Sequence, residues 1–154
     1  MTEKDLQIKD ICLRLLARRE HSRKELLDKL AFRGFGRQDT ERVVQELAEQ
    51  GWQSDERYAH SYARQRIEKG YGPLRIAYEL QQHGVEYSEL DGLVEDLAGS
   101  WSELLENVYL GKYSVDKHLP AKEWLKRSRF LQQRGFSGEM IKKLFVHMGI
   151  RLER

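Results

Sequence analysis

The chain has 154 residues, of which 40% are hydrophobic and 34% charged, and its formal net charge is +2. No stretch approaches the ~20 apolar residues that a membrane span needs, which excludes a membrane protein. A polar N-terminus and a single cysteine exclude a secretion signal and an internal disulfide, so we expect a soluble, cytoplasmic protein.

The first 53 residues show three helical patterns in succession. The first is an apolar stripe at helical spacing formed by Ile8, Ile11, Cys12, Leu15 and Leu16. Ser22 and Glu25 form a capping box that predicts the start of the second helix. The third helix is expected over Asp39–Gln50, where the pattern is again amphipathic.

The same plan recurs twice along the rest of the chain. In the second copy, Ser54 precedes an acidic first turn, and Pro73 suits the first position of a further helix. The third helices of these two copies are expected at Glu86–Ala98 and Ser137–Met148.

Two sets of glycines punctuate the three copies. Before each glycine of the first set a leucine lies four residues upstream, and a large apolar residue follows the glycine, which is the pattern of a helix end. The first set is Gly34, Gly84 and Gly135, and the second is Gly51, Gly99 and Gly149. Among the aromatic residues, Trp52 is expected to pack after Gly51, Tyr58 and Tyr62 to lie in the core, and Trp124 and Phe130 to seal the third repeat. No segment alternates apolar and polar residues as a strand does. We therefore predict an all-α, elongated protein of about nine helices in three tandem three-helix repeats (helix-turn-helix-like bundles), over 1–53, 54–99 and 100–154.

Three basic groups are candidates for contact with a partner. The first comprises Arg18, Arg19, Arg23 and Lys24, with a solvated helix face as an equal alternative. The second brackets the Gly70–Pro73 turn and comprises Arg64, Arg66, Lys69, Tyr71 and Arg75. Contact with a partner is favoured there over a purely structural turn. The third comprises Lys126, Arg127, Arg129 and Arg134, with simple solubility as its alternative.

Signals of catalysis are missing from the sequence. The five histidines show no paired helical spacing and no cysteine cluster accompanies them, so no metal site is expected. No glycine-rich loop is followed by Lys-Ser or Lys-Thr, which argues against a nucleotide site. Adjacent acids such as Asp55 and Glu56 are typical of a helix start. We expect a protein that is not an enzyme and that needs no cofactor.

Four motifs in fixed order resemble the RecX family of RecA regulators. The motifs are REHSRKEL over 19–26, GWQSD over 51–55 with Arg57-Tyr58-Ala59 after it, KGYGPLRI over 69–76, and FLQQRGFS over 130–137. Their order and spacing match the family from about Cys12 to Met148. Each motif is short, but four in register within one short chain are specific.

The resemblance implies tandem three-helix repeats that bind in the groove of a RecA filament on single-stranded DNA. It also implies inhibition of RecA's ATPase, strand-exchange and co-protease activities, and so negative modulation of recombination and the SOS response. We expect a monomer that touches several filament subunits at once. A weak direct contact with DNA is left open.

Two other functions are compatible with the same patterns. Three-helix units resemble helix-turn-helix modules, so a DNA-binding protein without RecA specificity is one alternative. The acidic third helix of the middle repeat argues against DNA reading by all three units, because phosphates would repel it. An α-solenoid adaptor for an unrelated protein is the other alternative.

Overall fold

The computed structural model describes all residues from Met1 to Arg154. It contains nine helices and two short strands. In chain order these are α1 (Glu3–Arg18), α2 (Arg23–Phe32), α3 (Arg37–Glu49), α4 (Asp55–Glu68), α5 (Pro73–Gln82), α6 (Leu90–Ala98), α7 (Trp101–Lys112), β1 (His118–Leu119), α8 (Ala121–Gln133), α9 (Gly138–His147) and β2 (Arg151–Leu152).

The nine helices confirm the all-α prediction, with two local differences. Helix α6 begins at Leu90 and not at Glu86, because the residue before it, Glu89, has non-helical torsions (φ −100°, ψ 15°) and no side-chain cap. The two strands, which the sequence did not predict, pair in parallel with His118 opposite Arg151. Each has only two residues, too few to show an alternating pattern.

The predicted helix starts are formed by side-chain caps. The Glu25 backbone N–H donates to Ser22 Oγ at 3.1 Å, and the Ser22 N–H donates to the Glu25 carboxylate at 3.0 Å. Ser54 Oγ accepts from the Arg57 N–H at the start of α4, and Pro73 is the first residue of α5. These bonds satisfy backbone donors that the first helical turn would leave unpaired.

The predicted helix ends follow the glycine pattern. The residue after each glycine of the first set donates its N–H to the leucine carbonyl at the end of the helix, in the pairs Phe35–Leu30, Val85–Leu80 and Phe136–Leu131. All six predicted glycines and Gly70 have positive φ. The apolar side chain that follows then folds back onto the last turn, as the buried Phe136 does.

The chain forms two compact units. The N-terminal unit comprises residues 1–62 and 80–87, and the C-terminal unit comprises residues 63–79 and 88–154. The middle predicted repeat therefore contributes residues to both units.

The core of the N-terminal unit lies where α3 packs against both α1 and α2. Its buried members are Ile8, Cys12, Leu26, Leu27, Leu30, Val43, Val44 and Leu47. Burial raises the pKa of the Cys12 thiol to about 11, so the side chain is protonated at neutral pH and packs as a small apolar group.

Trp52 lies outside this core. The sequence predicts a packed tryptophan after Gly51, but the indole is 57% exposed and that prediction is wrong. The next residue takes the inward position: Gln53 is buried, and its amide donates to the His21 carbonyl and to Asp55. Tyr58, by contrast, is buried as predicted, with its hydroxyl 2.5 Å from His83 Nδ1.

His21 makes the stability of the N-terminal unit depend on pH. Its side chain is 3% exposed, and burial lowers the pKa of the imidazole below its ordinary value of 6.5. The folded unit therefore holds a neutral imidazole, whereas the unfolded chain gains a proton once the pH falls below about 6.5. We expect the free energy of unfolding to fall as the pH drops from 7 to 5, measured by urea titration.

The matched comparison is His21→Gln against His147→Gln, since His147 is exposed. Only His21→Gln should reduce the change in the free energy of unfolding between pH 7 and 5. An unchanged slope in His21→Gln would contradict the assignment.

In the C-terminal unit, α9 packs against both α7 and α8, with an aromatic cluster between the helices. Tyr109, Phe136 and Phe145 are fully buried, and the Trp124 ring packs edge-on against Phe145 at a centroid distance of 4.7 Å. This packing agrees with the sequence expectation that Trp124 seals the third repeat. No helix of the protein is long and apolar enough to cross a membrane.

Candidate partner-binding surface

Most of the first basic group is engaged in local pairs. Arg19 binds both carboxylate oxygens of Glu25, at 3.2 and 3.1 Å. Lys24 Nζ donates to Asp28 at 2.9 Å, and the Arg23 guanidinium reaches the Gln45 amide oxygen. Arg18 alone of the four is exposed without a hydrogen bond or ion pair. Arg18 is therefore the member of this group with a free cation for a partner.

The second basic group surrounds one tyrosine. The guanidinium carbons of Arg66, Arg75 and Arg134 lie 4.2, 4.4 and 4.7 Å from the centre of the Tyr71 ring. Arginine at these distances is attracted by the negative face of the ring. We call these four residues the tyrosine–arginine cluster. It brings together three residues of the second predicted group and one of the third.

Further bonds hold this cluster in place. Arg66 and Arg75 share the carboxylate of Glu79. Arg75 also donates to the Gln133 carbonyl at 2.9 Å, and Arg134 donates to the Lys69 carbonyl at 2.8 Å. These side chains connect the turn after α4 to the end of α8.

Two glycines let the backbones of these two turns meet. The Gly72 N–H donates to the Arg134 carbonyl at 2.7 Å, and the Leu74 N–H donates to the Gly135 carbonyl at 3.0 Å. A Cβ at Gly72 would lie 2.6 Å from the Gly135 carbonyl, and a Cβ at Gly135 would lie 2.5 Å from Arg75 Cβ. This contact, which we call the glycine joint, explains the structural need for the Gly-Tyr-Gly-Pro motif.

The remaining members of the second group lie on the surface beside this cluster. Arg64 is exposed and pairs with Glu68 at 3.2 Å. Lys69 is exposed and its ammonium has no partner. Lys69 is thus the residue of this group with a free charge for contact.

Helix α8 carries an exposed basic stripe. Lys122, Lys126 and Arg129 follow one another at intervals of four and three residues, so they share one face of the helix with the exposed Leu125. None of the three cations has an ion pair or hydrogen bond within the protein. We call these four residues the α8 stripe.

Arg127 points the other way, into the C-terminal unit. It is 6% exposed and donates to the Tyr109 hydroxyl at 2.8 Å and to Glu123 at 2.9 Å. Its guanidinium carbon also lies 4.6 Å from the centre of the Tyr113 ring. The side chain therefore organises the core and is not available on the surface of the folded protein.

Replacing Arg127 with alanine is expected to lower the free energy of unfolding by about 2 kcal/mol, because the buried Tyr109 hydroxyl and Glu123 lose their partner. Thermal and urea unfolding would measure the loss. Lys126→Ala changes the adjacent, exposed residue and should remain within about 0.5 kcal/mol of the parent protein. Equal effects of the two substitutions would contradict the structural role of Arg127.

Several exposed apolar side chains were missed by the sequence reasoning. They are Phe32, Leu74, Tyr78 and Leu125. Leu74 and Tyr78 are four residues apart on α5, on a face away from the buried Ile76 and Leu80, so helical periodicity could have identified them. Phe32 is 94% exposed and had no comparable signal. No cluster of three or more His, Cys, Asp or Glu side chains is placed to hold a metal ion.

The fold defines an all-α protein of nine helices with free cations on its surface. Family models match the chain as three domains: "RecX, first three-helix domain" matches residues 9–47, "RecX, second three-helix domain" matches 54–88, and "RecX, third three-helix domain" matches 102–145. The chain belongs to the RecX family.

Curated relatives agree with this assignment, and a solved structure shares the fold. Regulatory protein RecX of Halorhodospira halophila (strain DSM 244 / SL1) is 38% identical over 88% of this chain and 84% of its own length. Regulatory protein RecX of Pseudomonas fluorescens (strain SBW25) is 42% identical over 84% of each chain. The crystal structure of RecX from Lactobacillus salivarius is similar in fold, with a TM-score of 0.68 at 20% identity, covering 98% of this chain and all of the other.

Proposed function

We propose that this protein is a negative regulator of RecA that binds along the groove of the RecA–DNA filament. The observation that carries the proposal is the presence of all three RecX domains, in order, within one chain. By this proposal the protein lowers RecA's ATPase, strand-exchange and co-protease activities, and so restrains recombination and the SOS response. It acts in the cytoplasm as a monomer, without catalysis or a cofactor of its own.

The surface charges support contact with an acidic polymer. Arg18, Lys69, Lys126 and Arg129 are exposed and have no partner within the protein. Because their charges are not neutralised internally, binding an anionic surface does not require an existing pair to break. These four residues are the contacts that we propose among the thirteen basic and aromatic candidates.

The repeated domains provide a mechanism of inhibition that requires no catalytic step. A filament presents the same surface on each subunit, so consecutive domains can bind consecutive subunits, and the second contact forms at a high effective concentration. A molecule that touches two subunits favours one relative orientation of them. ATP turnover and strand exchange require that orientation to change, so they slow down.

Direct reading of duplex DNA by all three domains is disfavoured by α6. This helix is the third of the predicted repeat 54–99, which is the position of a recognition helix, and it exposes Asp91, Glu95 and Asp96. Three carboxylates there would repel phosphates. The α8 stripe, in contrast, is compatible with an additional weak contact to DNA.

The test is ATP hydrolysis by RecA on single-stranded DNA with increasing amounts of this protein. We expect inhibition at well below one molecule per RecA subunit. Hydrolysis that stays unchanged at equimolar amounts would overturn the proposal, and sequence-specific duplex binding in the same preparation would favour the DNA-binding alternative.

A further inference from the structure

A groove on the N-terminal unit is lined by residues of α1 and by the residue that follows α2. Its volume is about 370 Å³, and its lining is Asp10, Ile11, Arg14, Leu15, Arg18 and Arg33. The five α1 residues recur at intervals of one, three and four, so they form a single face of that helix. Arg33 also lines the groove.

The floor of the groove is apolar because of how the helices pack. Helix α3 packs against both α1 and α2. Ile11 and Leu15 pack against the core but are only partly buried. Their uncovered area lines the groove, where an apolar side chain from a partner would gain burial.

The rim of the groove carries more positive than negative charge. It has three arginines and one carboxylate, and that carboxylate, Asp10, is paired with Arg14 at 3.1 Å. Arg18 and Arg33 are exposed and have no acidic partner. The groove therefore offers two free guanidinium groups above an apolar floor.

We propose that this groove binds an acidic segment of a protein, with an apolar side chain over Ile11 and Leu15 and carboxylates at Arg18 and Arg33. Guanidinium groups bind carboxylates through paired hydrogen bonds, which fixes the direction of the segment. One part of the inference rests on the proposed function: the assignment of the acidic segment to a subunit of the filament.

The lining favours a protein segment over a nucleic acid. Single-stranded nucleic acids are held by aromatic side chains on which bases stack, and no aromatic residue lines this groove. Phosphates alone would gain nothing from the Ile11 and Leu15 floor.

The test uses the full-length double variant Arg18→Glu with Arg33→Glu. Its control is Lys4→Glu with Lys29→Glu, which reverses two exposed, unpaired lysines on α1 and α2 outside the groove. Three affinities are measured at fixed salt: for RecA filaments on single-stranded DNA, for bare single-stranded DNA, and for a labelled octapeptide of glutamates with one central leucine. Circular dichroism checks that both variants keep the parent helicity.

We expect the groove variant to bind filaments and the octapeptide at least about tenfold more weakly than the control, with bare-DNA binding equal in the two. Equal filament and octapeptide affinities in both variants would overturn the inference, as would an equally large loss on bare DNA, which would mark a nucleic-acid surface. If the parent protein leaves RecA untouched but binds the octapeptide through Arg18 and Arg33, the proposed function fails and the groove assignment stands. If it binds neither, both fail.

Discussion

Replacing Gly135 with alanine is expected to lower the free energy of unfolding by about 4 kcal/mol, among the largest effects of any single methyl group in this protein. Gly135 has φ +105°, which an L-residue rarely adopts. The added Cβ would also lie 2.8 Å from the Arg75 backbone nitrogen and 2.9 Å from the Gly72 carbonyl oxygen. Both hydrogen bonds of the glycine joint would have to lengthen. Urea titration followed by circular dichroism measures the loss.

Substitutions of two other glycines distinguish backbone strain from steric overlap as causes of this loss of stability. Gly34 has φ +92° but open space around its Cβ position, so Gly34→Ala should lose only about 1 kcal/mol from backbone strain. Gly111 lies within α7, with ordinary torsions and open space, so Gly111→Ala should gain about 0.5–1 kcal/mol. If Gly135→Ala cost no more than Gly34→Ala, the close approach of the two turns would be contradicted.

The number and order of the helices could be predicted because their ends have local signals. A capping serine, an acidic first turn and a glycine followed by an apolar residue all act within a few residues of one another. The start of α6 was misplaced because the segment 86–89, which begins and ends with a glutamate, looks helical in sequence but precedes the helix in the structure. The small sheet was missed because its strands pair residues 33 positions apart, His118 and Arg151.

The surface was harder to predict than the fold, because the direction of a basic side chain depends on packing. The sequence grouped Lys126 and Arg127 together, although adjacent residues of a helix point about 100° apart. A signal did exist: Arg127 shares its helix face with Trp124 and Leu131, which are both apolar. A buried arginine requires partners, and these lie on other elements, as Tyr109 does.

The tyrosine–arginine cluster shows a second limit of prediction from sequence, which concerns contacts between residues far apart in the chain. The sequence marked Tyr71 and the arginines near it as a group with a special role. It could not show that Arg134, 63 residues further along, completes the group and ties it to the end of α8. Most of the side chains that were predicted to contact a partner are instead bonded to residues of the C-terminal unit. Lys69 is the cation at that turn that has no such bond.

Reversing the charge of Lys126 and Arg129 together is expected to weaken binding to the RecA filament at least about tenfold at low salt, without loss of stability. Both side chains are exposed and unpaired, so their replacement breaks no bond within the protein. Against an acidic partner, each reversal turns an attraction into a repulsion. The effect should shrink as salt rises, because exposed charges are screened over about 8–10 Å at 0.1–0.15 M ionic strength. Filament binding measured at several salt concentrations tests both statements.

The control is Lys142→Glu with Lys143→Glu, which makes the same change of charge on α9 in the same unit and also breaks the exposed pair of Lys143 with Glu139, a contact of little energetic weight. A general effect of net charge would weaken both variants alike, whereas a contact through the α8 stripe weakens only the first. Equal affinities in the two variants would show that the contact does not lie on α8. A loss for the first variant that also appears, in the same ratio, on bare single-stranded DNA would show that the α8 stripe meets phosphates and not the filament protein. Because Lys126 and Arg129 flank Arg127 on α8, one residue before it and two residues after it, unchanged unfolding curves are needed to separate lost contact from lost structure.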